Sequence, residues 1–271
     1  MFDIISQIIS YGFISRALIV GLLITVCSSF LGVTLVLKRY SMIGDGLSHI
    51  SFGAVAVASV MGLSPMKIAI PVVIAVSIFL LRINGKKIKG DSAIAILSTA
   101  ALAFGVMVIS YAGSSADLNN YLIGSIYAID KEDMVLSIVL CSMVIILFSF
   151  FYSRIFAVTF DEEFAKATGC HVGVYNVLTA VLTAITVVIG MRLMGSLLIS
   201  ALIVFPAMSS MRVFKSFFSV TVSSVVISVI SFLCGFILTI FLDGIPTGAC
   251  ITLVNLIFFI VFVIIGKFKR I

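Results

Sequence analysis

Residues 44–54 read GDGLSHISFGA and open an apolar segment that carries a carboxylate and an imidazole four residues apart. Asp45 and His49 share one face of a helix, because positions i and i+4 lie one turn apart. Ionisable side chains at the start of a membrane helix are costly and therefore mark candidate functional sites. A carboxylate and an imidazole also supply two ligands for a divalent transition metal ion.

The whole chain has the composition of a helical membrane protein. Of its 271 residues, 62% are hydrophobic and 10% are charged, and its mean hydropathy is +1.35. A soluble domain carries about 25% charged residues. We predict an all-α, polytopic membrane bundle in which residues 1–271 form a single transmembrane domain, since no loop is long enough to hold a second. The net charge of +6 has a membrane explanation, so no nucleic-acid partner is predicted.

About nine segments are candidates for crossing a bilayer, which takes about 20 residues, or about 17 at the short end. They are 17–37, 47–62, 67–81, 93–112, 134–153, 175–191, 195–211, 216–242 and 247–266. The second, third and seventh are short for straight spans, so eight spans remain an alternative.

The basic residues predict the orientation of the chain, because cytoplasmic loops are enriched in Lys and Arg. One set of loops holds only Arg16, Lys67, Lys131 and Arg192, and the other 13 of the 17 basic residues fall on the opposite side. We therefore expect the N-terminus outside and the C-terminus in the cytoplasm.

The helical face that carries Asp45 and His49 continues with Gly53 and Ala56. Small residues let another helix approach closely, and two copies of the chain meeting there would supply two carboxylates and two imidazoles. Four such ligands satisfy tetrahedral Zn²⁺, whereas Mn²⁺ or Fe²⁺ would accept them with added oxygen ligands. The alternative is structural: an acid that stabilises a helix N-terminus, and a histidine bonded to a neighbour.

Residues 154–174 form the longer inner loop, and one part of it is typical of a short helix. Asp161, Glu162 and Glu163 suit a helix N-terminus, and Gly169 suits the stop. We predict a surface helix on the cytoplasmic side, with Phe160 and Phe164 as apolar anchors for a soluble partner. The alternative is an ordinary amphipathic loop.

The sequence gives no sign of a catalytic or nucleotide-binding centre. Gly85 to Ser92 nearly matches a phosphate-binding loop, but Asp91 stands where that motif has lysine and would repel phosphate. We therefore predict that the chain is not an enzyme and that any ATP hydrolysis belongs to a partner subunit. Cys170 and His171 could bind a metal ion, but two ligands from one loop make an incomplete site, and a solvated loop histidine is the alternative.

Five stretches, taken in order, resemble the membrane permeases of ABC transporters for zinc, manganese or iron, the ABC-3 metal permease family. They are VLKRYSMIGDGLSHISFGAVAVA (36–58), DLNNYLIGSIYAIDKED (117–133), FDEEFAKATG (160–169), GMRLMGSLLISALIVFPAMSS (190–210) and DGIPTGACI (243–251). The resemblance runs over nearly the whole chain, and the GDGLSH segment is its most specific part.

The resemblance implies a permease subunit in a bacterial cell membrane. It implies a homodimer on two cytosolic ATP-binding subunits, supplied by an extracellular or periplasmic metal-binding protein. Asp45 and His49 match the family's pathway residues, and 160–169 matches the region where the ATPase docks. The transported ion is expected to be zinc first, with manganese or iron as further candidates, and no permanently bound cofactor is expected.

Two other functions compete with an ATP-driven metal permease. A secondary transporter could drive metal uptake with protons through Asp45 and His49, and would need no ATPase partner. An ABC permease for iron–siderophore or cobalamin-type substrates would need a wide cavity, and a paired acid and imidazole at a constriction argues against it.

Overall fold

The computed structural model describes residues 12–83, 90–112, 124, 131–241 and 244–268. Within these ranges every regular element is a helix. In chain order they are α1 (Gly12–Leu37), α2 (Ile43–Val60), α3 (Pro65–Ile83), α4 (Gly90–Tyr111), α5 (Lys131–Phe150), α6 (Tyr152–Phe160), α7 (Glu162–Ala167), α8 (Val172–Met194), α9 (Ser196–Val213), α10 (Phe217–Phe241) and α11 (Thr247–Phe268). The predicted all-α class is confirmed.

Within the described ranges, nine long helices correspond one to one with the nine predicted segments. Eight of those described are long and apolar enough to cross a membrane, and the apolar part of α3, Pro65–Leu80, is shorter. The expectation of about nine spans, with eight possible, is therefore met. The side of the membrane on which each terminus lies stays a prediction. The phosphate-loop-like segment at 85–92 and the stretch DLNNYLIGSIYAIDKED at 117–133 lie largely outside the described residues.

The predicted inner loop at 154–174 is wrong in its first part, because residues 154–160 are helical and belong to α6. Ile155 and Val158 of α6 are buried, so one face of this helix packs against the bundle, and the Thr159 hydroxyl donates to the Ile155 carbonyl at 2.6 Å. Because one face of α6 is buried, helical structure continues to residue 160, beyond residue 153 where the span was predicted to end.

The core is built on α1, α2, α8 and α9. Every residue of α8 from 182 to 191 is buried, and α8 contacts both α1 and α2. Several buried hydroxyls in this core bond within their own helix: Ser28 donates to the Ile24 carbonyl at 2.7 Å and Thr186 to the Leu182 carbonyl at 2.9 Å. Such bonds satisfy polar groups where no water is available.

An ion pair joins α5 to α8 at one end of the bundle. The Arg192 guanidinium lies 3.0 Å from the Asp133 carboxylate, and the Asp133 side chain is only 16% exposed. Arg192 therefore has a specific partner on another helix.

Candidate functional site

Asp45 and His49 lie on the first two turns of α2, as the spacing predicted. His49 Nε2 is 3.6 Å from Asp45 Oδ2, and the two side chains are 21% and 46% exposed, respectively. Asp45 also occupies the first turn of the helix, where a carboxylate interacts favourably with the helix dipole. The structure thus brings the two predicted side chains close together, and both remain accessible.

The pair lines a cleft of about 520 Å³ between α2 and α4. From α2 the cleft is lined by Met42, Asp45, Gly46 and His49, and from α4 by Ser92, Ile94, Ala95, Ser98, Thr99 and Leu102. The contributing residues of α4 recur at helical spacing, so one face of that helix forms the opposite wall.

Glycines on α2 let α4 approach this closely. A Cβ added at Gly46 would lie 2.2 Å from Cγ2 of Ile94, and one added at Gly53 would lie 2.7 Å from the Ala101 carbonyl oxygen. The helix that packs closely against Gly53 is therefore α4 of the same chain. Close approach of another helix at the small residues is thus observed, and the meeting of two copies of the chain at Asp45 and His49 stays a prediction.

The α4 wall adds oxygen atoms that sequence reasoning missed. The Ser98 hydroxyl donates to the Ala95 carbonyl at 3.1 Å, which leaves its lone pairs available as acceptors. Ser92 and Thr99 lie on the same wall and are exposed. The 92–95–99–102 spacing was visible in the sequence. It carried no signal by itself, because hydroxyls in apolar helices ordinarily bond within their own helix.

One protomer does not supply a full set of strong metal ligands. Among the described residues, no group of three or more His, Cys, Asp or Glu side chains is close enough to hold a metal ion. Asp45 and His49 offer one oxygen and one nitrogen ligand. A divalent ion in the cleft needs further ligands from neutral oxygens, water or another chain.

The predicted short helix is α7. The Asp161 carboxylate accepts from the backbone N–H groups of Glu163 and Phe164 at 3.0 and 2.9 Å, and Gly169 has φ +80°. Phe160 and Phe164 are 63% and 64% exposed. The helix, its acidic start and its glycine stop are as the sequence predicted, and both phenylalanines expose apolar surface.

Glu162 of α7 has a contact that the sequence did not suggest. Its Oε1 lies 3.0 Å from Lys38 Nζ and accepts from Asn176 Nδ2 at 3.1 Å. Burial raises the pKa of the Glu162 carboxyl. The hydrogen bonds from Asn176 and Lys38 and the charges of Lys38 and Lys166 outweigh this, so the pKa lies below its ordinary value.

Cys170 and His171 have different environments. Cys170 is buried in a small cluster with Val158, Ala165 and Val172. His171 is exposed at the start of α8, and its side chain does not cap the helix. This arrangement favours a packed thiol beside a solvated loop histidine over a paired metal site.

Comparison with known proteins identifies the family, because the family model of the ABC 3 transport family matches residues 10–266. The chain belongs to the ABC 3 transport family. It is a multi-pass bacterial membrane protein, consistent with its eight apolar candidate spans.

Several named relatives cover most of the chain. The manganese transport system membrane protein MntC of Listeria innocua is 29% identical over 262 residues, which cover 96% of this chain and 93% of that protein. The manganese import system permease protein ScaB of Streptococcus gordonii is 32% identical over 215 residues, covering 79% and 77%. A probable iron transport system membrane protein of Haemophilus influenzae is 25% identical over 269 residues, covering 99% and 95%.

Two solved structures are similar over nearly the whole length. PsaBC from Streptococcus pneumoniae, in complex with Fab, matches with a TM-score of 0.84 and 28% identity, covering 97% of this chain and 95% of that one. An inward-facing putative metal-chelate type ABC transporter matches with a TM-score of 0.76 and 18% identity, covering 97% and 90%. The second likeness concerns the fold alone.

Proposed function

We propose that this family member is the membrane permease of an ATP-driven importer of divalent metal ions, with residues 1–271 forming one transmembrane domain. Asp45 and His49 bind the ion transiently in the cleft between α2 and α4. The observation that carries the proposal is the convergence of these two side chains on one accessible cleft, within a chain of an ABC transport family. The names of relatives as manganese or iron transport proteins support a transition metal as the substrate.

Manganese is the ion that the cleft favours. Beside one carboxylate and one imidazole the lining offers neutral hydroxyl oxygens from Ser98 and Thr99, and neutral oxygens suit Mn²⁺ better than Zn²⁺, whose four protein ligands are thiolates, imidazoles and carboxylates. The names of the relatives support manganese or iron in the same way. The expectation of zinc first, made from sequence, gains no support from either observation.

The remaining subunits follow from the family. Two permeases pair around a shared pathway, two cytosolic ATP-binding subunits dock through α7, and an external binding protein delivers the ion. Positive-inside counting supports placing α7 and the C-terminus in the cytoplasm and the N-terminus outside. The exposure of Phe160 and Phe164 supports docking at α7, because an exposed aromatic pair at a polar surface is suited to a partner's groove.

The site is tested by Asp45→Ala and His49→Ala, measured as ⁵⁴Mn²⁺, ⁵⁵Fe²⁺ and ⁶⁵Zn²⁺ uptake by cells. We expect each variant to lose uptake while its level in the membrane stays unchanged. Replacing a residue that only orients a metal ligand costs roughly 10–100-fold in metal affinity, and loss of a direct ligand costs at least as much. Ser51→Ala is the matched control, because Ser51 is on the same helix but does not line the cleft.

Wild-type uptake by both ligand variants would refute the assignment of the site. The class of transporter is tested separately by depleting ATP or dissipating the proton gradient in the wild type. Uptake that stops with the gradient and survives without ATP would identify a proton-coupled carrier instead.

A further inference from the structure

A cluster of three polar side chains joins α7 to the membrane helices. Lys38 follows the end of α1, Glu162 begins α7, and Asn176 lies on the second turn of α8. Lys38 Nζ is 3.0 Å from Glu162 Oε1 and donates to Asn176 Oδ1 at 2.5 Å, and Asn176 Nδ2 donates to Glu162 Oε1 at 3.1 Å. Each side chain contacts both others, so the cluster is a closed triangle.

The triangle is better shielded than an ordinary surface ion pair. The Lys38 side chain is only 16% exposed, although that of Glu162 is 47% exposed. Exposed ion pairs contribute little, but a partly buried ammonium that loses its carboxylate is left without a charge partner. The triangle therefore holds α7 in one position relative to the bundle.

Lys38 also begins the connection that leads into the metal-binding cleft. The connection is short and internally bonded: Lys38 N–H donates to the Thr34 carbonyl at 3.1 Å, Tyr40 N–H to the Leu35 carbonyl at 2.8 Å, and Ile43 N–H to the Tyr40 carbonyl at 3.1 Å. Five residues thus tie the end of α1 to the start of α2, which carries Asp45. Because this connection is short and hydrogen-bonded, a displacement of Lys38 also displaces the start of α2.

We propose that Lys38, Glu162 and Asn176 form a polar link that transmits movement of the docked ATPase from α7 to the metal-binding cleft. The inference rests on the proposed function and names three positioning residues for transport. When the ATPase pulls on α7, Glu162 moves Lys38 and with it the start of α2, while Asn176 moves the start of α8. The start of α2, which lines the cleft, and the start of α8, which contacts α2, are then displaced together.

The link is active in the range of pH in which cells work. The pKa of Glu162 lies below its ordinary value of 4.5, so the carboxylate is charged at neutral pH. A lowered carboxyl pKa adds stability above the ordinary value, and that stability is lost only as the pH falls through the folded-state pKa. Mild acidification to about pH 6 should leave the link intact, since that is well above the ordinary carboxyl range.

The test uses the assembled complex in lipid vesicles, with ATP hydrolysis and Mn²⁺ uptake measured in the same preparation. Glu162→Gln and Lys38→Met should keep the ATPase bound and hydrolysing, and should lower the Mn²⁺ transported per ATP by roughly five-fold or more, the scale of ordinary coupling between sites. Glu132→Gln and Lys267→Met are matched controls, because both side chains are exposed and lie on other elements. Both controls should keep the wild-type ratio.

The charge-swapped double variant Lys38→Glu with Glu162→Lys separates a specific link from general damage. Asn176 can serve the swapped pair by rotating its amide, since it carries one acceptor and two donors. We expect the swap to regain most of the lost Mn²⁺ per ATP.

An unchanged ratio in both single variants, or a swap that regains nothing, would overturn the proposal. ATP-independent uptake by the wild-type complex would instead refute the proposed function itself.

Discussion

Residue by residue, the proposed metal site in the cleft would combine ligands of three strengths. Asp45 and His49 supply the charged oxygen and the nitrogen, and the hydroxyls of Ser98 and Thr99 supply neutral oxygens on the facing wall. Neutral oxygens matter most for an ion of high coordination number. Binding through so few strong ligands is weak, and an ion in transit must also be able to leave.

Replacing Thr99 by Val should lower Mn²⁺ uptake more than Zn²⁺ uptake. The change keeps the shape of the side chain and removes one candidate oxygen ligand, and a loss of about 1 kcal/mol corresponds to roughly five-fold in affinity. Competition between the two ions in cellular uptake measures the effect. Thr252→Val on α11 is the control, because its hydroxyl donates to the Gly248 carbonyl at 2.8 Å and lies outside the cleft. Equal losses for both ions would show that Thr99 only shapes the cleft.

Among the elements, α7 is short and stabilised from outside itself. Six residues cannot form a stable helix in isolation, so its position depends on the Asp161 cap, the buried Ala165 and the contact of Glu162 with Lys38. Phe160 has a second role, because its ring lies 5.1 Å from that of Phe156 and 6.5 Å from that of Phe217. Phe164 is therefore the cleaner position at which to test docking.

Phe164→Asp should weaken binding of the ATPase, and Phe160→Asp together with Phe164→Asp should abolish it. Burying one such ring is worth about 1.5–3 kcal/mol, which corresponds to roughly ten-fold or more in affinity. Co-purification of the ATPase with the permease is the measurement. Phe268→Asp is the control, because Phe268 is 81% exposed at the end of α11, more than Phe164 at 64%, and is predicted to lie on the same side. If the double variant retains the ATPase at the wild-type level, α7 is not the docking element.

At the scale of the assembled transporter, the two strong ligands that the described residues of one chain supply fit the proposed pairing of two copies. The two strong ligands of one protomer become four in a symmetric pair, which satisfies a tetrahedral ion directly and a six-coordinate ion with water or hydroxyl oxygens. Gly53 is already used by α4 of the same chain, so a second copy would meet this one nearer the open side of the cleft.

The purified complex should therefore bind one Mn²⁺ for every two permease chains in the absence of ATP. A shared site would give this ratio, because each chain supplies only one carboxylate and one imidazole, half of the set. Metal content measured against protein mass by native mass spectrometry decides it, with Asp45→Ala as the variant that removes binding. One ion bound per chain would show that each cleft is complete without a second copy.

Composition and local spacing were enough to predict the class of protein, the nine long helices among the described residues, the shared face of Asp45 and His49, and the acidic start and glycine stop of α7. These features depend on composition and on residues within about one or two helical turns, which hydrophobicity and helical periodicity reveal. The folded structure was needed to learn that α4 forms one wall of the cleft, that Gly53 packs against Ala101, and that Glu162 contacts Lys38. Those contacts join residues far apart in the chain, as in the pair at 38 and 162. Helix packing selects them, because an apolar helix can present many equivalent faces to its neighbours.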